Sequence, residues 1–261
     1  MHNNLDSILD QHLTQVPKSW IILLLGDNCV DQYVYGSINR LSPEAPVPVF
    51  VPEKEETRKG MVGNVEENLK VLGCSVNLMT VKGSIKTRFI DVKSNQHIMR
   101  LDQDAKSVAI TLDDSTPLIY DAVVISDYDK GAISYELVEQ LIDTFSCPIF
   151  IDTKKTDLAR FEGAVVKINS LENSLAKTLP TELIVTMGKY GASYKQETYA
   201  APQVEVADVC GAGDTFLAAL VYEYLNKKDM VKAIEFANRA AAVTVKHMGV
   251  YAPKLEEINA A

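Results

Sequence analysis

The chain has 261 residues, of which 47% are hydrophobic, which suits one large α/β domain with a well-buried core. Its formal net charge of −9 argues against a general nucleic-acid binder, which would present a basic face. The four cysteines and four histidines are scattered without metal-ligand spacing, and no basic-then-apolar leader or membrane-length apolar run occurs, so free thiols, no zinc site and a soluble cytoplasmic protein are expected.

In chain order, residues 1–19 are polar with Leu5, Ile8, Leu9 and Leu13 interspersed, and a short amphipathic helix laid on the main domain is expected there. Trp20–Leu25 is a continuous apolar run ending in Gly26-Asp27, the pattern of a buried strand followed by a loop. The stretch 33–51 carries Pro43, Pro46 and Pro48 with alternating Val47, Val49 and Val51. Proline cannot donate to a central ladder, so this stretch is expected to form edge strands projecting from the core. Gly63–Leu72 reads as a helix stopped by Gly73, and Val76–Val81 as a strand. Thr87–Val92 and His97–Leu101 flank Ser94-Asn95, as a hairpin would.

From Ala122 onward strands and helices alternate: strands at 122–125, 149–151, 165–168 and 183–186, helices at 134–144 and 170–177. Such alternation implies a mostly parallel sheet with helices on both faces. A hairpin is expected over Ala192–Ala200, then helices over 215–226 and about 230–247, the second stopped by Gly249. No repeat or linker interrupts the chain, so 1–261 reads as one domain with a small β lid, its strands at about 33–51 and 87–101.

The stretch with most chemical content is Asp208-Val209-Cys210-Gly211-Ala212-Gly213-Asp214-Thr215-Phe216. A small-residue turn running into an apolar helix gathers backbone N–H groups at the positive end of the helix dipole, a binding place for phosphate-like anions. Asp214 would repel such an anion, and a carboxylate beside an anion hole suits removal of a proton from an attacking hydroxyl. The same residues would also serve a plain tight turn with an N-terminal carboxylate. Neither a Walker A loop nor a dinucleotide glycine fingerprint is present. Polar residues follow several strands (Asp27 and Asp31, Ser126-Asp127, Asp152 and Lys154, Asn169 and Glu172, Gly188), and in open α/β sheets such positions share one cleft.

In this order, these landmarks resemble the ribokinase-like, or PfkB, sugar kinases over about residues 20–256, and DVCGAGDTFLAAL at 208–220 is similar to that family's C-terminal signature. The resemblance implies a three-layer α/β sandwich with a β lid. Within the family, Gly26–Phe50 (with Arg40-Leu41-Ser42-Pro43-Glu44-Ala45-Pro46), Thr87–Asp102, Ser126–Gly131, Asp152–Asp157 and Phe236–Val243 resemble heptose 7-phosphate kinase domains. By that resemblance Asp214 is the catalytic base, and Gly211, Ala212 and Gly213 form the anion hole. Asn169 and Glu172 match the Asn-x-x-Glu pattern that organises magnesium and phosphate, Glu172 acting on the metal through water. Asp31 grips sugar hydroxyls, and Gly60 and Asn64 lie in the sugar-binding segment. Gly188 and Gly191 turn over the nucleotide phosphates, and Asn238 lines the adenine pocket. Arg88 and Lys154 are the candidates for a substrate phosphate, with Arg40, Lys59 and Arg100 as further cations.

Three departures stand out. Met61 replaces the second glycine of the sugar-binding pair. Cys210 stands where Thr or Pro is usual, and reads as a small filler whose thiolate Asp214 disfavours. Only Lys82–Lys86 spans a gap that in the family holds a further helix-and-strand unit, so one edge unit of the core is expected to be missing; no nucleotidyltransferase domain is expected to follow. The resemblance implies ATP-dependent phosphorylation of a sugar or sugar phosphate with Mg2+, and a homodimer joined through the lid. A kinase for another sugar or a nucleoside, and a non-catalytic regulator retaining the fold, are the competing readings.

Overall fold

A computed structural model describes residues 19–105, 108–113, 116–117 and 119–261. The helix expected over 1–19 falls, except for Ser19, outside the described residues. Strand β1 (Ile21–Gly26) lies in an eight-stranded sheet with β4 (Ser75–Thr80), β7 (Ala122–Asp127), β8 (Ile149–Thr153), β9 (Val165–Asn169), β10 (Leu183–Thr186), β11 (Ala192–Tyr194) and β12 (Glu197–Tyr199). The order is β12-β11-β10-β9-β8-β7-β1-β4. Pairing is parallel from β4 through β10, and β10, β11 and β12 pair antiparallel.

The inner strands are apolar because they are covered on both faces. Ile22, Leu24, Ala122, Val124 and Phe150 pack on one side with helices α1 (Val62–Val71), α4 (Ala212–Lys227) and α5 (Met230–Thr244). Leu23, Leu25, Val123, Ile125 and Ile151 pack on the other with α2 (Tyr135–Thr144). Helix α3 (Ser170–Leu175) follows β9, and α6 (Leu255–Asn259) closes the chain. Local signals set the ends: Ser134 accepts the Leu137 N–H at the start of α2, Asp229 accepts the Lys232 N–H at the start of α5, and α1 ends at Gly73.

The lid is a second sheet of four strands, β3-β2-β5-β6, made of β2 (Asn28–Leu41), β3 (Pro48–Met61), β5 (Ser84–Asp91) and β6 (His97–Gln103). It is larger than the sequence suggested. β2 begins at Asn28 and is a central strand, antiparallel to β3 and parallel to β5, which corrects the expectation of edge strands only. Pro43 and Pro46 lie in the turn and Pro48 and Pro52 in the edge strand β3, so β2 itself carries no proline. β4 is the edge of the core sheet, and only residues 81–83 separate it from β5, since Ser84–Lys86 belong to the lid. That arrangement agrees with the missing edge unit.

Candidate active site

Helix α4 begins where the signature predicted, with one shift: Ala212, Gly213 and Asp214 are its first turn and Gly211 is the N-cap. Gly211 has φ of 76°, a left-handed conformation, and a Cβ there would sit 2.6 Å from Asn64 Nδ2. Asp214 is only 5% exposed. Asn64 Nδ2 donates to its Oδ2 at 2.8 Å, and the Tyr128 hydroxyl donates to its Oδ1 at 2.9 Å. Asn68, one turn along α1, donates to Asn64 Oδ1 at 3.3 Å, which turns the Asn64 amide so that its N–H faces Asp214.

Burial pushes the Asp214 carboxyl up to about 6. The bonds from Asn64 and Tyr128 and the nearby Lys167 hold it down, while Asp152 adds to the rise. The group is ionised at neutral pH yet basic enough to take a proton. Tyr128 stays a phenol, because burial and then the Asp214 charge raise it well above its usual range.

Tyr128 is held by a buried scaffold. Asp27 accepts backbone N–H bonds from Tyr128, Lys130 and Ala132. Asp127 accepts from the Thr153 hydroxyl and the Asp129 N–H, with Lys155 Nζ at 3.6 Å. Burial raises the Asp127 carboxyl to about 6.

Two cavities reach the head of α4 at Gly213, and a third lies along the signature loop at Asp208 and Cys210. The first, of about 280 Å³, is lined by Gly188, Gly191, Val206, Ala212, Gly213, Phe216 and Asn238 among others. Its wall is mostly apolar, and the Asn238 amide is fixed by its bond to the Tyr199 carbonyl. A cavity of about 120 Å³ is lined by Asp127, Tyr128, Asp152, Lys154, Lys167, Asn169, Glu172 and Gly213. The Asn169/Glu172 pair is a capping box at the head of α3, each side chain accepting the other's backbone N–H, and Lys154 Nζ lies 3.5 Å from Glu172.

The third cavity, of about 100 Å³, opens between the lid and the signature loop and is lined by Tyr33, Arg58, Arg88, Asn95, His97, Asp208 and Cys210 among others. Arg58 and Arg88 both lie over the Tyr33 ring, at 5.0 and 5.2 Å. Arg88 also donates to Asp31 at 2.5 Å. Gly60 packs beneath Asp31, where a Cβ would run into the carboxylate.

The expected residues thus assemble around Asp214, in separate compartments. Arg88 and Asp31 sit on the lid side, while Lys154 faces the phosphate-sized cavity with Glu172, away from Arg88. Among the other cations, Lys59 pairs with Glu66 and Glu67, and Arg100 with Asp102. Desolvation and then Asp208, rather than Asp214, push the Cys210 thiol up to about 11.

Sequence reasoning missed Tyr128, Asn68, Arg58 and Lys167. Arg58 and Asn68 gave no local signal. Lys167 did give one, as a lone charge inside the buried run Val165-Val166-Lys167-Ile168. Met61 has φ of 52° and ψ of −129°, a backbone conformation natural to glycine, with its side chain 5% exposed.

Comparison with known proteins fits this geometry. Residues 124–258 match the pfkB family carbohydrate kinases, and the chain belongs to that family. It is similar to the bifunctional protein HldE of a Nitratiruptor species, 35% identical over 91% of this chain. A second HldE, from Helicobacter pylori, is 32% identical over 91% of this chain. The alignments cover 64% and 65% of those proteins, so the chain spans just under two-thirds of their length. The first alignment runs over 296 positions against 261 residues in the whole chain, so the relative carries residues this chain lacks.

Among solved structures, ribokinase from Thermotoga maritima superposes with a TM-score of 0.70 at 15% identity, covering 92% of this chain and 98% of that one. Arabidopsis thaliana ribokinase complexed with ribose and ATP gives 0.67 at 14% identity, covering 93% and 98%. The fold is ribokinase-like. Among the described residues, no helix is long and apolar enough to cross a membrane.

Proposed function

We propose that this chain is a single-domain, cytoplasmic, ATP-dependent kinase that phosphorylates D-glycero-β-D-manno-heptose 7-phosphate at its anomeric hydroxyl, giving the 1,7-bisphosphate. The observation that carries the reading is Asp214, a buried carboxylate of raised basicity in the first turn of α4, whose neighbours Ala212 and Gly213 line a mostly apolar cavity and whose signature loop, at Asp208 and Cys210, lines an arginine-bearing cavity against the lid.

In the reaction, the sugar hydroxyl loses its proton to Asp214 as its oxygen bonds the γ-phosphorus, the bond to the β,γ-bridging oxygen breaks, and ADP leaves. Asn64 and Tyr128 hold the carboxylate in place, so no reorganisation is needed at the moment of transfer. The N–H groups of Gly211, Ala212 and Gly213 receive the phosphoryl oxygens. Gly188, Gly191 and Asn238 bound the nucleotide. Asp31, Gly60 and Asn64 contact the sugar, and Arg88 with Arg58 receives the 7-phosphate. This division favours Arg88 over Lys154 as the substrate-phosphate cation.

Magnesium would reach the site with the nucleotide. Among the described residues no cluster of three His, Cys, Asp or Glu could hold an ion, which suits a metal carried by phosphate oxygens and water, with Glu172 acting through water. Its chemistry there would be neutralisation of charge on the transferred group.

The resemblance of 40–46 and 87–102 to heptose 7-phosphate kinases and the identity to HldE proteins support the sugar assignment. An ATP-consumption screen over sugars and sugar 1-, 6- and 7-phosphates tests the class. Calorimetry with heptose 7-phosphate and the unphosphorylated heptose tests the substrate: tighter binding of the phosphorylated sugar is expected, and equal affinities would overturn a phosphate subsite even in an active kinase.

We further propose a homodimer joined through the lid. Phe50 packs edge-on against Phe89 at 5.2 Å within the lid. Exposed apolar side chains of the lid lie on Val47 and Val51 toward one edge and on Met99 and Leu101 of β6 at the other. Sedimentation should give a dimer at micromolar concentration, and Leu101→Asp a monomer; a wild-type monomer would overturn the proposal.

A further inference from the structure

Lys167 is a buried cation that neither the signature nor the proposed roles use. Its side chain rises from β9 opposite Asp152 of β8, and Nζ lies 2.7 Å from Asp152 Oδ2. The residue is 4% exposed. Burying an ammonium is costly unless its donors are satisfied. An ammonium has three donors, and among the described residues Lys167 donates only to Asp152.

The rest of its surroundings point to a ligand. A Cβ on Gly213 would come within 3.0 Å of Lys167 Nζ and 3.9 Å of Asp152 Oδ2. Gly213 therefore leaves open the line between the ammonium and the first turn of α4. The 120 Å³ cavity around them also presents Asp127, Asp152 and Glu172, with Lys154 as its other cation. Lys154 is about half-exposed and shared with Glu172 and the Tyr128 ring, whereas Lys167 is buried and held by Asp152. A polyphosphate entering so acidic a cavity needs a cation already in position.

We propose that Lys167 is a catalytic cation of this site: its ammonium contacts the transferred phosphoryl group through the opening at Gly213, and Asp152 holds it there. The proposal rests on the kinase reading above and deepens it. Lys167 carries no proton between substrates. It neutralises charge that builds on the phosphoryl oxygens while Asp214 takes the hydroxyl proton and ADP departs. Asp152 is a positioning residue. Burial raises its carboxyl and Lys167 opposes that rise.

The test compares wild type, Lys167→Met, Asp152→Asn and the double variant in turnover, calorimetry and thermal melting. If Lys167 contacts the transferred group, Lys167→Met loses about 100- to 1000-fold in kcat, as removal of one preorganised donor does elsewhere. It should bind a non-hydrolysable ATP analogue more weakly while binding adenosine as wild type does. The double variant, with no buried charge left unpaired, should melt close to wild type and remain inactive. Recovery of turnover in the double variant, or equal losses for adenosine and the ATP analogue in Lys167→Met, would reduce the pair to a structural ion pair and overturn the proposal. The nucleotide measurements stand apart from the kinase reading: a wild-type chain inactive on every sugar, but with analogue binding that depends on Lys167, would sink the function and leave the phosphate contact standing.

Discussion

The two sheets solve opposite problems. The core sheet is built from strands of three to six residues, and Leu23, Val124, Phe150 and Val166 in its inner strands have no solvent exposure. The lid is built around two strands of 14 residues, and all of β6 is exposed. The proposed catalytic groups and their supports sit on strands of the core sheet or on helices packed against it: Asp127, Asp152, Lys167, Asn64 and Asp214. The proposed recognition groups sit on the lid, where Asp31, Tyr33, Arg58 and Arg88 come from three adjacent strands. Rate should therefore depend on the core sheet, and substrate choice on the lid.

The sharpest break of that division is Asp214→Asn, expected to cut kcat by about 10²–10⁴ while leaving ATP affinity intact. Near wild-type turnover in that variant would remove Asp214 from the role of base. On the lid, Arg58→Met should raise KM for the phosphorylated sugar about tenfold with little change for its unphosphorylated form. Arg88→Met should raise KM by about 10- to 100-fold and impair both forms, because it also releases Asp31. A large kcat effect from Arg58→Met would blur the division between the sheets.

Acidity probes the core alone. With Asp214 at about 6, kcat/KM should fall about tenfold per pH unit below that value as the base is protonated. Stability runs the other way. Asp127 and Asp214 both titrate near 6 in the folded chain, above the ordinary aspartate value of 3.8, so the folded state holds their protons more tightly. Their contribution to stability is fully present below about pH 4 and is lost as pH rises through 6. Asp214→Asn should accordingly melt no lower than wild type at pH 8, and a clear drop would show that the bonds from Asn64 and Tyr128 outweigh the burial cost.

The smallest expected effect lies at the junction of the sheets. Met61 gains from burial but holds a glycine-like backbone, a strain of about 1–3 kcal/mol. Met61→Gly should lie within about 1 kcal/mol of wild type, whereas Met61→Ala keeps the strain and loses the side chain, costing about 2 kcal/mol. An alanine variant more stable than the glycine variant would contradict the strain.

What could be read from the sequence divides along the same line. The core strands announce themselves because two-sided burial demands unbroken apolar runs, and the turn at 211–213 because its left-handed N-cap at Gly211 calls for a small residue before an apolar helix. The Asn169-x-x-Glu172 pattern carries its own local geometry. The lid was harder to place. β2 needs only one buried face, and its neighbouring prolines obscured a strand that contains none. The stacking of Arg58, Tyr33 and Arg88 brings together three strands whose pairing no local pattern records. Tyr128 was visible as a loop residue, but its reach to Asp214 depends on Asp27, about a hundred residues away.

That carboxylate has a consequence for motion. By taking the amide protons of Tyr128, Lys130 and Ala132, Asp27 gives an irregular segment the hydrogen-bonding security of a strand. These three amides should exchange with deuterium on the slow timescale of the core sheet, although they lie in a loop. A segment already frozen in the free protein has little conformational entropy left to surrender when substrate arrives. The hydroxyl that steadies Asp214 is then in position before either substrate binds, and the cost of ordering it falls on folding, once, rather than on each turnover.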